Sequence, residues 1–97
     1  MRYVVVGRYT PDKFRDVTKR MMSIATGEAP KPVLEAYKNL RYVVQESAIG
    51  SCCTFQIVES DNQQAMATVA AYFADLMHFE IYPSIPMEDA MKLRVWR

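Results

Sequence analysis

His78, Glu80 and Tyr82 come nearest to a catalytic group in this sequence. They alternate along HFEIYP, so in a strand the three side chains share one face. An imidazole, a carboxylate and a phenol around a cavity can exchange protons, which makes these three the catalytic candidates. A structural role weighs more. Triplets without a surrounding motif arise by chance, and Arg2, Arg8 and Arg41 are competing partners for Glu80. Thr54 and Gln56 are polar positions in an otherwise buried strand. With Tyr3, Glu80 and Tyr82 they form the candidate ligand-binding set, since a pocket needs a few polar groups in an apolar wall. Thr54 and Gln56 serve equally well to satisfy one another across a dimer.

Other chemistries find little support. Cys52 and Cys53 are neighbours, and neighbours on a strand diverge, so no ordinary disulfide joins them. They read as small hydrophobes in a reducing compartment. No cysteine or histidine spacing suits a metal, and there is no CxxC or phosphate loop, so neither metal nor cofactor is expected. Of the seven methionines, Met21, Met66 and Met77 fall on helix stripes, and core packing is the favoured reading.

Twelve basic and eleven acidic side chains leave a net charge of +1. That removes the electrostatic argument for nucleic acid or an anionic membrane as partner. No apolar run approaches the ~20 residues of a membrane span. MRYVVVGRY is too short for a signal peptide, so a cytoplasmic location is expected. The 97 residues fit a single domain, 1–97.

The elements that position the candidates follow from local chemistry. Arg2–Tyr9 is β-branched and aromatic and predicts a strand, with Gly7 marking a bulge or a close neighbour. Thr10-Pro11 opens a helix whose stripe is Phe14, Val17, Met21 and Ile24, and Gly27 ends it. Glu28–Leu40 contains Pro30 and Pro32, which argue against a regular helix or central strand at that point; VLEAYKNL suits a turn or two of helix. Arg41–Ser47 and Cys52–Glu59 predict a hairpin around Ala48–Ser51, with Gly50 giving the turn its freedom. Ser60 and Asp61, with Gln63 or Gln64, predict a capped helix over Asp61–Met77. Met66, Val69, Ala70, Phe73 and Met77 form its buried stripe. Phe79–Tyr82 is a fourth strand limited by Pro83, and a short helix runs from Pro86 to about Leu93.

The order is βαββαβ. Right-handed crossovers bring the strands into one four-stranded antiparallel sheet with both helices on one face, a ferredoxin-like α+β fold. The expected core face carries Val4, Val6, Cys53, Phe55, Ile57, Phe79 and Ile81. The opposite face then holds Tyr3, Val5, Tyr9, Thr54, Gln56, Val58, Glu80 and Tyr82. It is too apolar for water, and a second copy of the sheet is its simplest cover, giving a dimeric α+β barrel.

Gly50, Ile57-Val58-Glu59, Asp61, Phe79-Glu80-Ile81 and Pro83 resemble the C-terminal half of a family of small, functionally uncharacterised proteins in the dimeric α+β barrel superfamily. The resemblance implies the fold and homodimerisation. It carries no catalytic set. Three functions follow as expectations. The first is a small-molecule binding protein with its ligand in or near the barrel lumen. The second is a cofactor-independent monooxygenase- or isomerase-like enzyme using His78, Glu80 or Tyr82. The third is an assembly protein in which Trp96 and the C-terminal helix reach a neighbour.

Overall fold

A computed structural model describes residues 1–93 of the chain; Trp96 lies outside them. Strand β1 is Arg2–Arg8, followed by a 3-10 turn over Pro11–Lys13 and helix α1, Phe14–Thr26. Helix α2 is Lys31–Lys38, β2 is Arg41–Ala48 and β3 is Cys53–Glu59. Helix α3 is Gln63–Tyr72, β4 is His78–Ser84 and α4 is Met87–Ala90. All pairings are antiparallel and the sheet order is β2-β3-β1-β4. This is the ferredoxin-like arrangement, with one helix added between α1 and β2.

The short helix expected within VLEAYKNL forms as α2, but it starts earlier than expected, at Lys31. Pro30 precedes α2 and Pro32 lies in its first turn, where a missing N–H breaks no helical bond. Val33 and Ala36 are buried beneath it, and α2 packs along α3. Pro83 likewise falls within β4 rather than ending the strand. β4 is an edge strand, so a residue without an N–H costs no ladder bond on its open side.

The caps also differ from expectation. The Asn62 side chain accepts from the Ala65 N–H at 2.9 Å and caps α3. Ser60 is spent elsewhere: its hydroxyl accepts from the Asn62 N–H and donates to the Asn39 carbonyl. Asp61 pairs with the N-terminal ammonium at 2.8 Å. Helix α3 stops at Tyr72, with Phe73 as its C-terminal cap, short of Met77. In the β2–β3 turn the left-handed residue is Cys52, φ 50°, and Gly50 needs no such freedom. Gly27 does end α1 in the left-handed region, φ 82°.

The largest correction concerns the faces. Tyr3 lies opposite Val58, Val5 opposite Gln56 and Gly7 opposite Thr54. Val5 also faces Ile81 across the other edge of β1, and Gly7 faces Phe79. Directly paired residues share a side of the sheet. Tyr3, Val5 and Val58 pack with Ala36, Leu40 and Ala65 in the main core, so this is the helix side. Val4, Val6, Phe55, Ile57, Glu80 and Tyr82 occupy the other side. The expectation for β4 therefore holds, and those for β1 and β3 invert. The reason is that both parities of β1 are apolar, so alternation alone does not say which one meets the helices.

Gly7 supplies the missing discriminator. A Cβ there would lie 2.6 Å from Thr54 Oγ1, 2.7 Å from Met77 Cε and 3.0 Å from Phe79 Cε1. The helix side of β1 must be empty at this point for the α3–β4 segment to close over it. No bulge is required in β1.

A second cluster joins Val17 of α1 to Phe73 and Met77. Val17 is 2 % exposed, and burying such a side chain contributes about 1.5–3 kcal/mol. Polar bonds from α1 reach the same region. Arg20 bonds the Asp75 carboxylate and donates to the Tyr72 carbonyl, and Ser23 meets the Tyr72 hydroxyl at 2.9 Å. Helix α1 is thus tied to the end of α3 rather than pressed onto the sheet. Phe14 and Met21 of its stripe stay exposed. The radius of gyration is 14.8 Å, above the ~12.5 Å of a compact chain this long.

Candidate functional site

The space beneath α1 is a cavity of about 230 Å³ between the helices and the sheet. Its floor is Val5, Thr54, Gln56 and Val58, with Phe79 and Ile81 towards β4. Met66, Val69 and Phe73 form one wall, and Met21, Ile24 and Ala25 form the α1 side. Tyr37, Leu40, Tyr42 and Gln45 line the α2–β2 end. Each wall exists because a periodic element turns its apolar stripe inward while α1 stands away from the floor.

The polar groups fall into two sets. At the α2–β2 end, Gln45 Nε2 donates to the Tyr37 hydroxyl at 3.1 Å. Tyr37 stacks on Tyr42, with ring centroids 4.9 Å apart. Burial pushes the Tyr42 phenol well above its ordinary value, with the Tyr37 phenol adding to the effect. The Tyr42 phenol is therefore held neutral, while Gln45 beside it faces solvent. On the floor, Thr54 is 5 % exposed and Gln56 is half-buried. Among the described residues neither side chain has a hydrogen-bond partner, and both border the cavity.

The structure separates the ligand-binding set predicted from sequence. Thr54 and Gln56 line the cavity on the helix side. Tyr3 lies on that side as well, packed in the main core, with its hydroxyl 3.2 Å from Met1 Sδ. Glu80 and Tyr82 lie on the opposite side of the sheet. The grouping failed because the faces of β1 and β3 were inverted relative to β4.

His78, Glu80 and Tyr82 do share one face, as their alternation requires, and they pair with Arg8, Val6 and Val4. His78 is exposed. Glu80 is held on both oxygens. Tyr82 donates to Oε2 at 2.6 Å and Arg8 Nε meets Oε1 at 3.2 Å. Those two bonds hold the Glu80 carboxyl below its usual range, and Glu80 in turn raises the Tyr82 phenol. None of the three residues lines the helix–sheet cavity.

The helix-free face carries a continuous apolar band. Phe55 and Tyr82 are 45 % and 52 % exposed, Val44 is exposed, and Val4 and Ile57 are half-buried. Ion pairs flank the band. Arg8 meets Glu80 at one end, and Arg2 and Arg41 meet Glu59 at the other, at 3.6 and 2.6 Å. The sequence expectation of two apolar sheet faces is met, with the residues exchanged between them.

Both cysteines are free thiols, with Cys53 buried and Cys52 at the turn. Among the described residues no cluster of histidine, cysteine, aspartate or glutamate suits a metal ion. No helix of the described residues is long and apolar enough to cross a membrane.

A family model, Domain of unknown function (DUF3303), matches residues 1–95. The chain belongs to the DUF3303 family. The match takes in α2 as well as both βαβ units, so the added helix lies within the DUF3303 pattern. The resemblance read from the sequence rested on the C-terminal half alone. A comparison with curated proteins finds no match.

Proposed function

We propose that this DUF3303 protein is a cytoplasmic, homodimeric small-molecule binding protein of the dimeric α+β barrel type, one domain in each subunit. The ligand sits between the sheet and helices α1–α3 of each protomer. The observation that carries this reading is the 230 Å³ cavity, whose walls are apolar and whose floor presents Thr54 and Gln56. A small apolar space with a few unpartnered polar groups is the ordinary form of a ligand pocket. This moves the site from the barrel lumen to the helix side and leaves the lumen face for assembly.

Support for the dimer comes from the exposed band of Phe55, Val44 and Tyr82 on the sheet. Apolar bands rimmed by charge are common where proteins associate. Ile85, Met87, Met91 and Leu93, which follow β4, are exposed as well. The paired state of Glu80 and the exposure of His78 favour a binding role for the protein over proton transfer by that trio.

Native mass spectrometry of freshly purified protein tests both parts. The reading predicts twice the subunit mass, with a small-molecule increment for each subunit lost on activation. A bare monomer at micromolar concentration would contradict it.

A further inference from the structure

We infer that the cavity takes an uncharged, mainly hydrocarbon molecule of about nine non-hydrogen atoms, with one hydroxyl or carbonyl group that bonds Gln56. This rests on the binding role just proposed and adds the ligand's charge, size and orientation.

Charge follows from the lining. Among the described residues, none that lines the cavity is an acid, a lysine, an arginine or a histidine. A carboxylate or ammonium inside would leave water without a counter-charge, which is strongly unfavourable. The nearby arginines are already engaged. Arg20 is held by Asp75 outside the cavity, and Arg8, Arg2 and Arg41 pair with Glu80 and Glu59 on the other side of the sheet. Tyr42, at the α2–β2 end, is kept protonated by its burial.

Size follows from the volume. A dry 150 Å³ cavity in another protein holds benzene, so 230 Å³ holds about nine such atoms. That is below the usual range for drug-sized ligands, roughly 300–1,000 Å³.

Orientation follows from which polar group has room. Gln45 Nε2 is already donated to the Tyr37 hydroxyl, and Gln45 faces solvent. Thr54 is crowded from the Gly7 side by Met77 and Phe79. Gln56 lies opposite Val5, and its amide offers both a donor and an acceptor. A hydroxyl or carbonyl therefore meets Gln56, and the hydrocarbon part runs between Met66, Val69 and Met21 towards α1.

The test uses the full chain and four probes of similar bulk in calorimetric titration at pH 7: 1-octanol, octanoate, octylammonium and ethylbenzene. We expect 1-octanol to bind at least tenfold more tightly than either ion. Gln56→Leu should weaken 1-octanol about fivefold or more and leave ethylbenzene unchanged or tighter. Gln56→Glu, a near-isosteric change, should favour octylammonium over 1-octanol, and it serves if the leucine variant does not fold. Equal or tighter binding of octanoate or octylammonium by the unaltered protein overturns this inference and leaves a binding protein standing. Unchanged 1-octanol affinity in both variants overturns the role of Gln56. No binding by any of the four probes overturns this inference; a small-molecule increment in native mass spectra of the purified protein then keeps the binding function standing, and its absence overturns both.

Discussion

Gly7 lies directly opposite Thr54 in the β1–β3 ladder, and a methyl group on Gly7 would stand 2.6 Å from the Thr54 Oγ1. This one vacancy lets Met77 and Phe79 fold over the sheet and close the β4 side of the cavity. In strand β1 glycine is a weak former, so its presence reflects the space it leaves.

Gly7→Ala is accordingly expected to destabilise the fold. The entropy gained by replacing glycine is a few tenths to 1 kcal/mol, while overpacking costs about 1–3 kcal/mol. The midpoint of urea unfolding should fall with an unchanged slope. A midpoint that rises would mean that the helix side of Gly7 is open.

The Arg20–Asp75 pair predicts a pH dependence of helix α1. The Arg20 hydrogen bond holds the Asp75 carboxyl below its ordinary value. A group whose folded value is depressed stabilises above its unfolded value, ~3.9, and loses that contribution as pH falls through the folded value. Amide exchange in α1 should therefore speed up, beyond its intrinsic rate, as pH drops below about 4. Asp75→Asn should remove this dependence. Protection of α1 that is flat with pH in the unaltered protein would count against the tie.

Phe55 tests the proposed dimer contact. It is 45 % exposed in the protomer, so Phe55→Glu should cost the isolated fold little. Across a sheet-to-sheet contact it would bury a charge. Light scattering should report half the mass of the unaltered protein, with an unchanged far-ultraviolet dichroism spectrum. An undiminished dimer would place the interface elsewhere.

Tyr82 and Glu80 give a spectroscopic prediction. Glu80 raises the Tyr82 phenol by accepting its hydrogen bond. In an ultraviolet titration of the six tyrosines, Glu80→Gln should move one transition back towards the ordinary value near 10. Tyr42 should ionise late in both proteins, since its shift comes chiefly from burial. If Glu80→Gln leaves every transition unmoved, the bond is not formed in solution.

The element order and the fold were legible because each boundary carries its own chemistry: Thr10-Pro11, Gly27 and the polar run Ser60–Asn62. The sharing of one face by His78, Glu80 and Tyr82 was legible for the same reason, as period two needs no partner. Which sheet face receives the helices was not. Val4 and Val6 are as apolar as Tyr3 and Val5, so burial could be assigned either way. The signal was Gly7, whose missing side chain marks the crowded side, but sequence does not say what crowds it. Where helix α2 starts was obscured by Pro30 and Pro32, which mark a helix start as readily as they forbid a helix interior. The cavity itself was invisible, because it depends on how far α1 stands from the sheet. That distance is set by Arg20, Ser23 and Val17 meeting Tyr72, Asp75 and Phe73, all of them long-range contacts.

The most direct test of the site is a methyl-labelled nuclear magnetic resonance titration with 1-octanol. Ligand between helices and sheet predicts shifts in the methyl signals of Met21, Met66, Met77, Val69 and Ile81. Signals from Val4, Val44 and Ile57 on the helix-free face should stay in place. Shifts confined to Val4, Val44 and Ile57 would place the ligand on the helix-free face and contradict the account.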